Sequence, residues 1–386
     1  MRICGIICEF NPFHNGHKYL LQRAKELSGC DKILCIMSGS FTQRGDIAVM
    51  DKFARARHAV LCGADAVIEL PAAFAVATAE IFANGAIKIL NSIPEVTTLA
   101  FGCESANADF MGAARLLNEE SPQFKSILND KLAEGDSYIR SYAEAFEACG
   151  GERNLLSNPN NILGVEYAKA ILKLNSNIKI LPIGRIGAGY GDSELKADYS
   201  SASAIRNNPQ SPLIKNNVPE CVLADFEDFS EKNYRFKELL GFKLLQSTPE
   251  TLQKIYGCTE GLENRLINLT SLPLDELIEN ATARRYSASR IKRILCANLL
   301  ELYKDDCENY LQSSLYIKPL TVKNDGANET LPALAKSEYH LVLKQRDLKA
   351  LNEVARKCFE RDENSYKIWK FIAKEPQSGF DYVKFI

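Results

Sequence analysis

Over the first two hundred residues, short apolar runs alternate with helix-length amphipathic stretches, and few folds accept that rhythm. ICGIIC (3–8), KILCIM (32–37), DAVIEL (65–70), TTLAFG (97–102) and IKILPI (178–183) are continuous runs of strand length. Between them, helical spacing covers 17–28, 51–62, 74–90, 161–174 and several segments from 107 to 149. Strands that do not alternate polar with apolar are buried on both faces, and helices between them supply the cover. The pattern predicts an α/β domain with a doubly wound parallel sheet, Rossmann-like in layout.

After about residue 215 the rhythm changes. Helical spacing dominates 235–312 and 334–374, and strand-like runs become scarce. The stretch SPLIKNNVPE, with Pro212 and Pro219, interrupts both helix and ladder. Two domains are therefore expected, 1–215 and a mostly α-helical 216–386, with the loop KNDGANETLP (323–332) marking a further division. A chain of 386 residues is long enough to bury a core in each.

Composition narrows the setting. A formal charge of -2 carries no global sign of nucleic acid, so local charge has to be read. The opening RICGIICEF is too short for a signal segment, and no run approaches the length of a membrane span, which places the expected protein in the cytosol. Twelve cysteines sit mostly within apolar runs, without a CxxC pair or a neighbouring histidine at ligand spacing. They read as reduced core thiols rather than as a zinc site or disulfides.

The stretch FNPFHNGH (10–17) holds two of the four histidines of the chain. It occupies the turn after the first strand, the usual phosphate site of an open α/β sheet. Gly16 permits close backbone approach, and the following helix offers unpaired N–H groups and a positive dipole end. His14 and His17, three apart at a helix start, can face the same side. Random placement of 4 His and 22 Gly in 386 residues gives roughly 0.002 expected H-x-G-H matches. Two imidazoles over such a turn suit stabilisation of charge as a bond to an α-phosphorus breaks.

These residues resemble the HxGH signature of the nucleotidyltransferase superfamily, and SSASAIR (200–206) is similar to its later triphosphate-holding turn, which implies Ser203 and Arg206 in that role. Hydroxyls and N–H groups at a helix start, with a guanidinium, form an anion cradle on physical grounds too. More closely, GIICEFNPFHNGH, MSGSFTQRGDIAVMDKFARARHAVLCGADAVIELP, PNNILGVEYAKAILKLN and IGAGYGD together resemble the bacterial tRNA(Met) cytidine acetate ligase family. The likeness covers most of 1–206 and continues less distinctly through EGLENRL (260–266) and RRYSASRIKRIL (284–295). DKFAR stands where that family has SKWAR, and IGAGYGD lacks the histidine that follows the tyrosine in the family.

The resemblance implies a nucleotidyltransferase-like catalytic domain that makes acetyl-adenylate from acetate and ATP. The acetyl group then passes to N4 of the wobble cytidine of elongator tRNA(Met). It implies an ATP site formed by Ile7, Cys8, Glu9, Phe10, Asn11, Pro12, Phe13, His14, Asn15, Gly16, His17, Lys18, Tyr19 and Leu20, completed by Gly102, Asn161, Arg185, Ser203 and Arg206. His14, His17 and Arg206 are the expected catalytic residues. In the loop and helix after the second strand, Gln43, Arg44, Asp46, Lys52 and Arg55 are candidates for the same cleft. Magnesium is compatible with phosphoryl chemistry, though no carboxylate cluster demands it and no metal ligands are assigned.

From 280 to 300 there are five cations and no acidic residue: Arg284, Arg285, Arg290, Lys292 and Arg293, with Tyr286 between them. They are the expected tRNA surface, offering cations to phosphates and a ring for stacking. Two other readings fit part of the pattern. A small-molecule adenylyltransferase explains HNGH and SSASAIR but not the basic helix, and a non-catalytic RNA-binding protein leaves the intact histidines without a task.

Overall fold

The computed structural model describes residues 1–187 and 194–386, so most of IGAGYGD, including Tyr190, lies outside the described residues. Five strands carry the first half: β1 (Ile3–Cys8), β2 (Lys32–Ser38), β3 (Ala66–Leu70), β4 (Val96–Cys103) and β5 (Lys179–Gly184). All neighbours among them are parallel, in the spatial order β5-β4-β1-β2-β3. β1 to β3 are buried almost throughout, as their unbroken apolar runs require.

Helices α1 (Asn15–Ser28), α2 (Lys52–Leu61), α3 (Ala79–Asn91) and α4 (Pro159–Lys173) cover the sheet. α1 ends on Gly29 at φ 56, a left-handed cap that glycine adopts without a Cβ penalty. Because β1 lies between β4 and β2, the strand order reverses there. The crevice between the carboxyl ends of β1 and β4 is the place where such sheets bind ligands.

Beyond residue 200 come the short α5 (Ala202–Asn207), then α6 (Ser230–Leu245), α7 (Leu274–Ala281), α8 (Ala288–Leu300) and α9 (Glu353–Ala373). The expected boundary at 215 does not isolate the sheet, however. β6 (Pro319–Val322) pairs antiparallel with β3, and β7 (Lys384–Phe385) pairs parallel with β6, making the sheet seven-stranded among the described residues. PLTV is too short, and begins with too poor a ladder residue, for periodicity to find it. The stretch expected as a dividing loop, 323–332, is largely the start of a helix, Ala327–Ala335.

Buried polar contacts fasten the helical half to the segments that follow β2 and β3. Asp362 on α9 accepts from Ala72 N–H at 2.8 Å and from the Tyr316 hydroxyl, while Trp369 Nε1 donates to Ala48 O at 2.8 Å. Gly45 (φ +76) lies so close under α8 that a Cβ there would stand 2.5 Å from the Lys292 carbonyl carbon. Glycine is the residue that meets both conditions. The helical region thus rests directly on the loop after β2.

Candidate active site

The turn after β1 is strained and tightly packed. Phe10 has φ 49, an uncommon conformation for a bulky residue and one that clusters at functional sites. Its ring packs edge-on against Phe13 (4.8 Å between centroids) and His17 (4.9 Å). Asn11 is buried and accepts Val49 N–H at 2.8 Å through its side chain.

The helix starts two residues before His17, and the two histidines cap it reciprocally. His14 Nδ1 accepts from Gly16 N–H at 3.1 Å, and His17 Nδ1 accepts from His14 N–H at 3.2 Å. This is a capping box built from imidazoles. The rings stack with centroids 3.7 Å apart. Since each Nδ1 is an acceptor, each neutral ring carries its proton on Nε2 and offers one N–H donor. Burial, reinforced by Arg185 and Arg206, lowers the His14 pKa to about 3. Burial likewise holds His17 well below the ordinary range, with His14 and Arg185 adding to it. Both rings are neutral donors, not cations.

His17 opens onto a cavity of about 520 Å³. One part of its wall is apolar: Leu20, Phe82, Phe101, Leu163 and Tyr167, with Phe101 and Tyr167 in edge contact at 5.6 Å. The other part carries Arg44, Arg185 and Arg206 against one carboxylate, Glu9, whose pKa burial raises. A smaller polar recess adjoins it, lined by His14, His17, Asn11, Arg185, Ser203 and Arg206 among others. Arg206 donates to Asn11 O at 2.5 Å and to Ser203 Oγ at 3.2 Å, leaving guanidinium donors to spare. Among the described residues, the Arg185 side chain has no hydrogen-bond or ion-pair partner. An apolar slot joined to a cationic recess fits a nucleoside attached to phosphates.

Comparison with known proteins agrees. A family model described as HIGH Nucleotidyl Transferase matches residues 1–381. A tRNA(Met) cytidine acetate ligase of Clostridium perfringens is 35% identical over 99% of this chain and 98% of its own length. The chain belongs to the tRNA(Met) cytidine acetate ligase family. Another member, from Thermosipho africanus, is 34% identical over 100% of this chain and 99% of its own. The crystal structure of Thermotoga maritima TmcAL in apo form superposes with a TM-score of 0.91, at 28% identity and full coverage of both chains. That protein bound with alpha-thio ATP superposes at 0.88 with the same identity and coverage.

Within this family fold, the residues expected from sequence divide into groups. Ile7, Cys8, Glu9, Phe10, Asn11, His17, Leu20, Gly102, Arg185 and Arg206 line the main cavity, together with Gln43 and Arg44. His14, Ser203 and Asp46 line the adjoining recess, while Gly16 and Tyr19 border a third, narrow pocket beside Arg185. Pro12 and Phe13 are buried beneath the turn, and Lys18 points to solvent. Asn15 donates to Asn216 O at 2.8 Å, on the far side of the turn.

Three expectations need correction. Asn161 is fully buried, its Oδ1 accepting Glu104 and Ser105 N–H at 2.9 and 3.2 Å and its Nδ2 donating to Ser105 Oγ and Asn154 O. It shapes the loop after β4, and its neighbour Asn160 lines the cavity instead. Lys52 is likewise buried, paired with both Glu69 oxygens at 2.7 and 2.8 Å. Arg55 donates to the carbonyls of Met50 (3.1 Å), Glu9 (2.6 Å), Ser38 (3.1 Å) and Gly39. It clamps the loops after β1 and β2 together from behind.

The basic segment also divides. Arg284 and Arg285 are exposed, the former 3.9 Å from Asp136. Arg290 is held by Glu260 Oε2 (3.0 Å) and Thr259 Oγ1 (2.8 Å), and Lys292 pairs with Asp46 at 3.4 Å. Arg293 lines the main cavity, with Ser289 beside it. Charge spacing alone does not reveal which face of α8 meets the cleft. The apolar wall residues Phe82, Leu163 and Tyr167 were equally hidden, because in sequence they read as ordinary helix core.

Proposed function

We propose that this protein is an ATP-dependent tRNA(Met) cytidine acetate ligase. Family membership over almost the whole chain carries the reading, and the cavity gives it a mechanism. The adenine nucleoside takes the apolar part of the cavity and the triphosphate lies toward His14, His17, Arg185 and Arg206. An acetate oxygen attacks the α-phosphorus, and the bond from that phosphorus to the bridging oxygen of the β-phosphate breaks. Negative charge moves onto the departing pyrophosphate. Preorganised donors aimed at that charge supply the stabilisation: two imidazole Nε2–H groups that already hold their orientation through Nδ1, and guanidinium donors that need no protonation step.

The acetyl-adenylate is the product of this first half. Cytidine N4 then attacks the acetyl carbonyl, the carbonyl–oxygen bond to AMP breaks, and AMP leaves while the amine loses a proton. Within the basic segment, Arg284 and Arg285 are exposed and available to the tRNA backbone.

The residues present do not form a cage for magnesium. Near the recess, Glu9 accepts Gln43 N–H at 2.7 Å and Asp46 is paired with Lys292, and no group of three metal-ligating residues stands together among the described residues.

The test is direct. Purified protein is incubated with ATP, labelled acetate and an elongator tRNA(Met) transcript, and nucleosides are analysed by mass spectrometry. N4-acetylcytidine is expected. Label entering a phosphorylated small molecule instead would point to an adenylyltransferase, and absence of ATP consumption would remove the enzymatic reading.

A further inference from the structure

Resting on that reading, we infer that Arg293 is a nucleotide-binding residue contributed by the helical region, a ligand for phosphate oxygens of ATP rather than part of the tRNA surface. Three observations carry the assignment.

The first is position. Arg293 and Ser289 lie four apart on α8, a spacing that places both on one face, and both border the cavity whose other walls come from β1, β4, α4 and the turn holding His17. The second is the lack of a counter-charge. Among the described residues Arg293 has no hydrogen-bond or ion-pair partner, whereas Arg290 and Lys292 on the same helix each have one. A half-buried guanidinium with five donors and nothing to accept them is costly unless an anion arrives. Burial, with the neighbouring cation Arg290 adding to it, lowers the Arg293 pKa. The third is fixation of the backbone. The α8 main chain at Lys292 and Arg293 rests on Gly45, and the Lys292–Asp46 pair ties the same helix to the loop after β2. The guanidinium is therefore presented from a seated helix, not from a loop.

A ligand supplied from beyond residue 216 makes the cavity a joint product of both halves of the chain. It also places the nucleotide ligand and the exposed Arg284 and Arg285 within one short segment.

Equilibrium titration with α,β-methylene ATP, in the absence of tRNA, tests this. For Arg293→Ala the dissociation constant is expected to rise about tenfold or more, as for loss of a charge-assisted contact to phosphate. Arg293→Lys, which keeps a charge without the planar fork, should fall between. Arg346→Ala, whose side chain is 78% exposed, serves as control and should match wild type. Because Arg293 has no partner to lose, its thermal midpoint should not drop, and Arg293→Lys keeps the test valid if the alanine variant folds poorly. An affinity for the analogue within about twofold of wild type, or a loss confined to tRNA binding, would overturn the inference. Failure of the wild-type protein to bind the analogue would instead overturn the proposed function, so the two failures are distinguishable.

Discussion

Two groups of cations stand within one domain-length of each other and do opposite things. Lys52 and Arg55, at the start of α2, are completely buried, and every strong donor they own is engaged with Glu69 or with backbone carbonyls. Arg185, Arg206 and Arg293 border the cavity and retain unused donors. Sequence treats the groups alike, as basic residues in or beside predicted strands and helices. The contrast is one of satisfaction: a cation with all partners present holds the fold, and a cation lacking them is kept for a ligand.

The largest expected effect tests the first half of that contrast. Arg55→Ala removes the shared donor of four carbonyls in the loops after β1 and β2 and should lower stability by about 3 kcal/mol or more, read by urea denaturation. Arg185→Ala should leave the urea midpoint in place and weaken binding of the ATP analogue. If both variants lost stability equally, satisfaction would not separate the two groups.

Next come the histidines, which belong to both groups at once because they cap a helix through Nδ1 and line the recess with an Nε2–H donor to spare. His14→Ala or His17→Ala should lower acetate-dependent adenylate formation by about 10²-fold or more, the usual consequence of losing a preorganised donor. The accompanying loss of a cap is worth only about 1 kcal/mol. Affinity for tRNA should be unchanged. Adenylate formation within about threefold of wild type would leave the capping role alone standing.

Much of this was legible from sequence, for physical reasons that also mark the limit. β1 to β5 announce themselves because a strand buried on both faces must be apolar throughout, and HNGH is informative because its place after β1 is fixed by topology. β6 escapes because four residues starting with proline carry no period. The reciprocal cap escapes because histidine is not an expected N-cap, so the tautomer emerges only from coordinates. Asn160 and Asn161 differ by one residue, about 100° around a helix, and only packing decides which faces the ligand. Lys52 and Arg55 depend on partners up to 46 residues away, and Arg293 on a cavity wall built from distant segments; a charge pattern holds no record of either.

A double variant applies the same criterion to the basic segment. Arg284 and Arg285 are exposed, so Arg284→Ala with Arg285→Ala should weaken tRNA binding about tenfold and flatten its salt dependence by roughly 0.7 to 0.9 in log–log slope per lost phosphate contact. Binding of the ATP analogue should not change. A loss of tRNA affinity with an unaltered salt slope would mean that these residues act through something other than phosphate.

The last expectation is the most specific, because it concerns a proton. The His14 pKa is lowered to about 3 in the folded protein, against about 6.5 for an unfolded chain. Between those values the unfolded state binds a proton that the folded state refuses, so stability rises with pH across the window. The contribution is fully present above about pH 6.5 and is lost progressively as pH falls toward 3; His17, lowered in the same direction, adds to it. The urea midpoint should therefore decline as pH drops from about 6.5 to 5, and less steeply in His14→Gln. Imidazole nitrogen resonances offer the direct check in a chain with four histidines. Those of His14 and His17 should keep a protonated Nε2 and bare Nδ1 without titrating between about pH 5.5 and 8. Titration near 6.5 would make the two rings cations at mildly acidic pH. The recess would then be a plain cluster of positive charge, and the distinction between held and waiting donors would not extend to the two histidines.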